Sequence, residues 1–195
     1  MHVKDILNLK GHVRLFQLTD FGKVLLVDKN NLIVYSGREW VLSRLVGVDN
    51  SNISAKSSDT ISWLSFGTGG APAGDPENPT PPSSNDNSIQ EITIDSNDPN
   101  LYDGKKIPLK MAEYSSEIQF IQDNALDNRY LMVRCATVLN EDQANDQEIN
   151  EAALWISDSN IATEATRFSL FAHVTFPTFT KQANFKYLFE WIIHS

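Results

Sequence analysis

Cysteine is almost missing from this sequence: Cys135 stands alone in 195 residues. A single thiol excludes an intrachain disulfide framework and a thiolate-rich zinc site. Positive charge is also scarce, with 16 Lys and Arg against 25 Asp and Glu and a formal net charge of −9. That balance argues against nonspecific binding to nucleic acid or to an anionic membrane, both of which need clustered cations. No apolar run approaches the length of a membrane span, and no signal-peptide core opens the chain. What is present is core-forming material, 41% hydrophobic and 10% aromatic, which is too apolar for a disordered acidic chain. The expectation is a soluble globular protein with no thiol, metal or nucleic-acid chemistry, so no cofactor is expected.

The charge is unevenly spread. Residues 1–56 carry a net +3, residues 57–104 hold eight acids and no Lys or Arg, and residues 105–195 carry a net −4. Within the cation-free stretch, residues 67–88 hold Gly67, Gly69, Gly70, Gly74 and five of the eight prolines. Proline fixes φ and removes donors, so 67–88 reads as a long extended surface loop. A second exposed loop is expected at 140–151, where five acids meet no base.

Local patterns point to a mainly β chain. Val24–Val27 and Leu32–Tyr35 are short apolar runs around Asp-Lys-Asn-Asn, a hairpin signal. Ser36 to Glu39 matches a capping box and Gly47 a C-terminal stop, which predicts one short helix at about 37–46. Predicted strands are Ile61–Phe66, Ile89–Ile94, Ile118–Gln122, Tyr130–Leu139, Ala153–Ile156, Arg167–Phe176 and Phe185–Ile193. The last two alternate: Phe168, Leu170, Ala172, Val174 and Phe176 on one, Phe185, Tyr187, Phe189, Trp191 and Ile193 on the other. Leu188 and Ile192 make the opposite face of the final strand apolar too, which predicts a central position. The linking PTFTKQA is short enough for an antiparallel hairpin. The fold class expected is an antiparallel β-sandwich with one short helix in the N-terminal half and long surface loops. Residues 1–29 would supply an N-terminal arm and first strands, a docking segment, and 30–195 a single sandwich domain.

Chemical constellations are weak. His2, His12, His173 and His194 show no paired spacing, and His173 reads as a partly exposed or satisfied strand histidine. Cys135 sits mid-strand and reads as a buried inert thiol. Asp95 to Gly104 is rich in oxygen ligands, but Pro99 interrupts the calcium-loop pattern and no glutamate closes it. Phe66–Gly70 lacks the lysine of a phosphate loop and runs into acidic sequence, so it reads as a tight turn needing positive φ at a glycine.

Motif order carries more than any one motif. S-G-R-E-W-V-L-S-R-L-V-G (36–47) precedes I-S-W-L-S-F-G-T-G-G (61–70) and a long loop. Then follow I-N-E-A-A-L-W (149–155), F-A-H-V-T-F-P (171–177), Lys181 and the alternating last strand. Over roughly 30–195 this series resembles small structural proteins of tailed bacteriophage virions, with their GTG turn, INE segment and closing F-A-R-x-T-F-P hairpin. His173 stands where that pattern has arginine, and residues 1–29 have no counterpart in it.

The resemblance implies a non-enzymatic component of a neck, tail, baseplate or fibre attachment, assembled in the bacterial cytoplasm and located in the virion. Its partners would be copies of itself, in a ring-like oligomer, and neighbouring virion proteins, without nucleic acid or membrane. Gly67, Gly69, Gly70, Asn150 and Glu151 would form a structural turn. Asp75, Glu77, Asp86, Glu141, Asp142, Asp146 and Glu148 would offer interface carboxylates. One alternative is a carbohydrate- or receptor-binding module of a tail fibre, which requires Trp63, Trp155 or Trp191 in an exposed groove. Another is a small hydrolase, which requires two carboxylates converging in a pocket.

Overall fold

A computed structural model describes residues 9–111, 115–123 and 130–194. Nine strands and one helix follow in the order β1 (Lys10–Thr19), β2 (Gly22–Ile33), α1 (Tyr35–Val46), β3 (Thr60–Gly67), β4 (Lys106–Pro108), β5 (Glu117–Asp123), β6 (Tyr130–Leu139), β7 (Glu148–Ser157), β8 (Phe168–Thr180) and β9 (Lys186–His194). The chain is mainly β, as expected, and its pairings are antiparallel. The strands form one hydrogen-bonded sheet in the order β4-β3-β7-β8-β2-β1-β9-β6-β5. The two faces that a sandwich obtains from separate sheets come here from a single sheet curled on itself. Phe66 of β3 meets Phe189 of β9 edge-on at 5.1 Å between ring centroids, although β7, β8, β2 and β1 lie between their strands in the sheet order.

The curl encloses one main core. Val13 and Leu15 of β1, Leu64 and Phe66 of β3, Val174 and Phe176 of β8, and Phe189 and Trp191 of β9 are all buried in it. The last strand lies between β1 and β6 with Tyr187, Phe189, Trp191 and Ile193 inward, so its central position matches the alternation. Leu188 packs on the opposite face with Ala136 and Val138.

The stripe on β8 divides. Ala172 pairs with Leu154 but Leu170 with Trp155, so Phe171 is an extra residue and the faces exchange there. Ala172, Val174 and Phe176 point into the main core, while Phe168 and Leu170 join an outer cluster with Trp63 and Trp155. Two of the five residues expected on one face, Phe168 and Leu170, thereby lie on the other.

Several expectations change. Val24–Val27 and Leu32–Ile33 belong to one strand, because Asp28–Asn31 pair with Arg14–Gly11 and Asp28 is held by His12 at 2.7 Å. The hairpin turn is at Asp20–Phe21. The 29/30 boundary therefore falls inside β2, and β1 is flanked by β2 and β9, so residues 10–29 belong to the sheet. Residues 1–8 lie outside the described residues. PTFTKQA makes no hairpin: β8 pairs with β7 and β2, β9 with β1 and β6, and the link turns the corner between them. Phe179 stacks on Tyr187 at 5.6 Å across that corner. Ile89–Ile94 forms only a bridge, Gly67 to Glu91: Ile92 and Ile94 are buried, but their backbone bonds go to separate segments, Ile92 to Phe66 and Ile94 to Gly104 and Ala144. The short β4 was not legible.

The helix begins at Tyr35, with Val34 as its N-cap and no side-chain cap bond. The capping box fails because the Ser36 hydroxyl donates to the Leu170 carbonyl at 2.5 Å and thereby ties the helix to β8. Gly47 ends it in the left-handed conformation, φ 68°, as its position predicts. Trp40 faces Phe171, while Leu42, Leu45 and Val46 remain exposed.

Candidate functional site

The motifs singled out in the sequence meet on one carboxylate. Glu151 is not in a loop; β7 begins at Glu148, so the second acidic loop ends at 147, and both Asn150 and Glu151 are buried strand residues. Glu151 Oε1 accepts the backbone N–H of Gly69 at 2.7 Å and that of Gln90 at 2.8 Å. Its Oε2 meets His173 Nε2 at 3.0 Å. Asn150 Oδ1 accepts the Gly70 N–H at 2.7 Å, and its amide donates to Thr178 Oγ1 at 3.1 Å. The G-T-G-G turn, the I-N-E segment and the F-A-H strand, more than 100 residues apart at their extremes, thus form one network.

The glycines serve close approach. Gly67, Gly69 and Gly70 are absent from the positive-φ residues, which include Gly22, Gly47, Gly74 and Gly104, so the expected turn geometry is corrected. A Cβ on Gly67 would lie 2.5 Å from both the Gln90 carbonyl and Glu151 Oε1, and one on Gly70 would strike the Asn150 carbonyl. The sequence signal was right about glycine and wrong about the reason.

His173 completes the cluster and was missed as a functional residue. Its other nitrogen, Nδ1, meets Asp86 Oδ2 at 2.8 Å. The side chain is 8% exposed, between Glu151 at 3% and Asp86 at 27%. Burial disfavours the charged imidazole, but bonds and charge from Glu151 and Asp86 outweigh it and raise its pKa above the ordinary histidine value. Burial likewise pushes the Glu151 carboxyl up, but His173 and the Gly69 and Gln90 amides hold it below the usual range. An open cleft of about 480 Å³ borders the cluster, lined in part by Pro82, Ser88 and Gln90.

Of the interface carboxylates, Asp75, Glu77, Glu141, Asp142, Asp146 and Glu148 do not share in this cluster. All six are exposed. Asp86 is no free interface group, since it turns inward to His173 and also accepts the Ser83 N–H at 2.8 Å. Both acidic loops are pinned to the same stretch of chain. Thr178 donates its N–H to the Pro76 carbonyl at 2.8 Å, and Asp146 donates to the Lys181 carbonyl at 2.9 Å. Lys181 is fully buried, and its ammonium donates to Asn145 Oδ1 and the Gln182 carbonyl, each at 3.0 Å. Desolvation lowers its pKa, opposed by Glu141 and Asp142.

A second buried cation has no counterpart in the sequence reading. Lys106 Nζ is 2.6 Å from Glu91 and lies 4.8 Å from the Trp155 ring, 5.0 Å from Phe168 and 5.9 Å from Tyr102. Those rings come from three separate segments of the chain, a grouping that no local pattern encodes. Cys135 is buried, and desolvation pushes its thiol up to about 12, in line with an inert core thiol. Asn97 and Asn100 donate their N–H groups to Asp95 and Asp98 within the ligand-rich turn. Among the described residues no group of three or more His, Cys, Asp or Glu is placed to hold a metal ion.

All four tryptophans, Trp40, Trp63, Trp155 and Trp191, are buried. A sugar-stacking groove built on Trp63, Trp155 or Trp191 is therefore not available. Among the described residues no helix is long and apolar enough to cross a membrane. No protein-family model, curated protein or solved structure matches the chain.

Proposed function

We propose that this chain is a non-enzymatic structural protein of a tailed bacteriophage virion, part of a neck, tail or baseplate assembly. It binds copies of itself in a ring-like oligomer and contacts neighbouring virion proteins. The observation that supports this reading is the convergence of its three ordered motifs on Glu151, with backbone amides and a histidine as the bonding partners. Such a network fixes loops rigidly on a β scaffold, which suits a component that presents shaped surface to neighbours. Exposed carboxylates in the two acidic loops and the exposed apolar residues of α1 supply the surface. The acidic contacts would face basic or polar partners and weaken with salt.

Mass spectrometry of purified particles from the source of the chain tests the reading directly. The chain should be present at a fixed stoichiometry and should cross-link to a virion neighbour through lysines near the acidic loops. Its absence from the particles would overturn the proposal.

A further inference from the structure

The proline-rich segment covers a strand edge. On the side of β8 facing β2, only two rungs exist, Leu32 to His173 and Ile33 to Ala172. From residue 174 onward that edge has no strand beside it among the described residues. Residues 76–84 lie there instead: the Pro76 carbonyl accepts the Thr178 N–H at 2.8 Å, and the Thr80 carbonyl accepts the Thr175 hydroxyl at 2.7 Å. Further back, the Ser84 carbonyl accepts the Tyr35 N–H at 2.8 Å. The segment thus runs antiparallel to β8 as a strap. Its prolines, Pro76, Pro79, Pro81 and Pro82, remove donors, so it covers the edge without extending the sheet.

At the end of the strap stands Asp86, and its carboxylate is the strap's charged contact with His173. Both imidazole nitrogens face carboxylate oxygens, Nδ1 toward Asp86 and Nε2 toward Glu151. A neutral imidazole has one N–H and one lone pair, so it satisfies only one of them; the imidazolium satisfies both. Glu151 brings its charge from β7 and Asp86 from the strap, while β2 offers only the uncharged Leu32 and β8 itself Thr175.

We propose that Asp86, His173 and Glu151 form a protonation latch that holds the proline strap on the free edge of β8, and that loss of the imidazolium proton releases the strap and opens that edge. On deprotonation the carboxylate facing the lone pair must leave. Glu151 is anchored by two backbone amides and is buried in a strand. Asp86 sits on the strap and is partly exposed, so the strap moves. Release frees the Thr178 N–H and the neighbouring edge of β8 for an extended segment of another chain, the pairing mode that exposed edges favour. The latch does not depend on the virion reading.

Hydrogen exchange by mass spectrometry on the full chain, from pH 6 to 9.5 with times scaled to the intrinsic rate, tests the latch. NMR titration of His173 runs in parallel. Peptides covering 71–88 and 174–180 should be protected below about pH 6.5. Their protection should then fall, by up to about tenfold per pH unit, as the pH climbs through the raised imidazole value. Peptides from β6 and β9 should not follow. Asp86→Asn should lower the His173 titration midpoint and reduce strap protection already at pH 6. His173→Arg, which keeps its charge, should hold the strap at high pH. Strap protection that ignores the His173 titration, or an Asp86→Asn chain with unchanged protection at pH 6, would overturn the proposal.

Discussion

Removing the Glu151 carboxylate gives the sharpest measure of the central network. In Glu151→Ala three donors lose their acceptor at once: the Gly69 N–H, the Gln90 N–H and His173 Nε2. Each buried unsatisfied group costs about 1–3 kcal/mol, and breaking a buried ion pair on one side costs about 3–5 kcal/mol. The terms overlap at the histidine, so the expected loss is about 3–5 kcal/mol. Against a typical total of about 5–15 kcal/mol this is a large fraction. In a chain of this size it lowers Tm by roughly 2–4 °C per kcal/mol, or about 6–20 °C. Glu151→Gln keeps an oxygen for the two amides and should lose less, about 1–3 kcal/mol, mostly at the histidine. Urea unfolding followed by tryptophan fluorescence reads both at pH 7. The pH dependence adds a sign. Stabilisation from the raised histidine is full below about pH 6.5 and fades as pH rises through its folded value. That from the depressed Glu151 is full above about pH 4.3 and fades as pH falls through its folded value. The wild type should therefore gain most between those limits, and Glu151→Gln should show a flatter profile. A Glu151→Ala chain within about 1 kcal/mol of wild type would refute this account of the network.

Three further outcomes are expected. Lys106→Ala should cost about 3–5 kcal/mol in urea unfolding, since it strands Glu91 and empties the space between Trp155 and Phe168; the paired change Lys106→Met with Glu91→Gln should recover more than half. Gly70→Ala should cost about 1–3 kcal/mol because its Cβ meets the Asn150 carbonyl. Gly74→Ala, in open space at φ +88°, should cost about 1–2 kcal/mol through backbone strain alone, and thermal melts of the two variants read both losses. Cys135, with its thiol raised to about 12, should stay unlabelled by Ellman's reagent at pH 8 in the native chain and react fully in denaturant.

The mainly β class, the single helix with its Gly47 stop, β6 and the inward face of β9 were legible, because periodicity and local caps act over a few residues. The bulge at Phe171 was not legible, since the pairing partner Leu154–Trp155 decides it. Nor was the fate of Ser36: its hydroxyl finds the Leu170 carbonyl 134 residues away in place of its own helix. The glycine turn and I-N-E were identified as a unit only through the order of motifs, and their contact needed the β3–β7 ladder, which sets Gly67 opposite Glu151. His173 read as bland because neither Asp86 nor Glu151 lies near it in the chain. Chemistry that depends on three distant segments leaves no local trace.

The two rungs that join β2 to β8 have a mechanical consequence. They are the hydrogen-bonded seam between the half of the sheet that carries β1, β9, β6 and β5 and the half that carries β8, β7, β3 and β4. Every other junction in the sheet except the three-rung β3–β4 pair has at least seven rungs. Tension applied between the halves would concentrate on this narrow joint, whose rungs would break in succession under a peeling load. One of the two rungs is formed at His173, whose imidazole meets Asp86 at the end of the strap, so the narrow joint and the strap's charged contact share one residue.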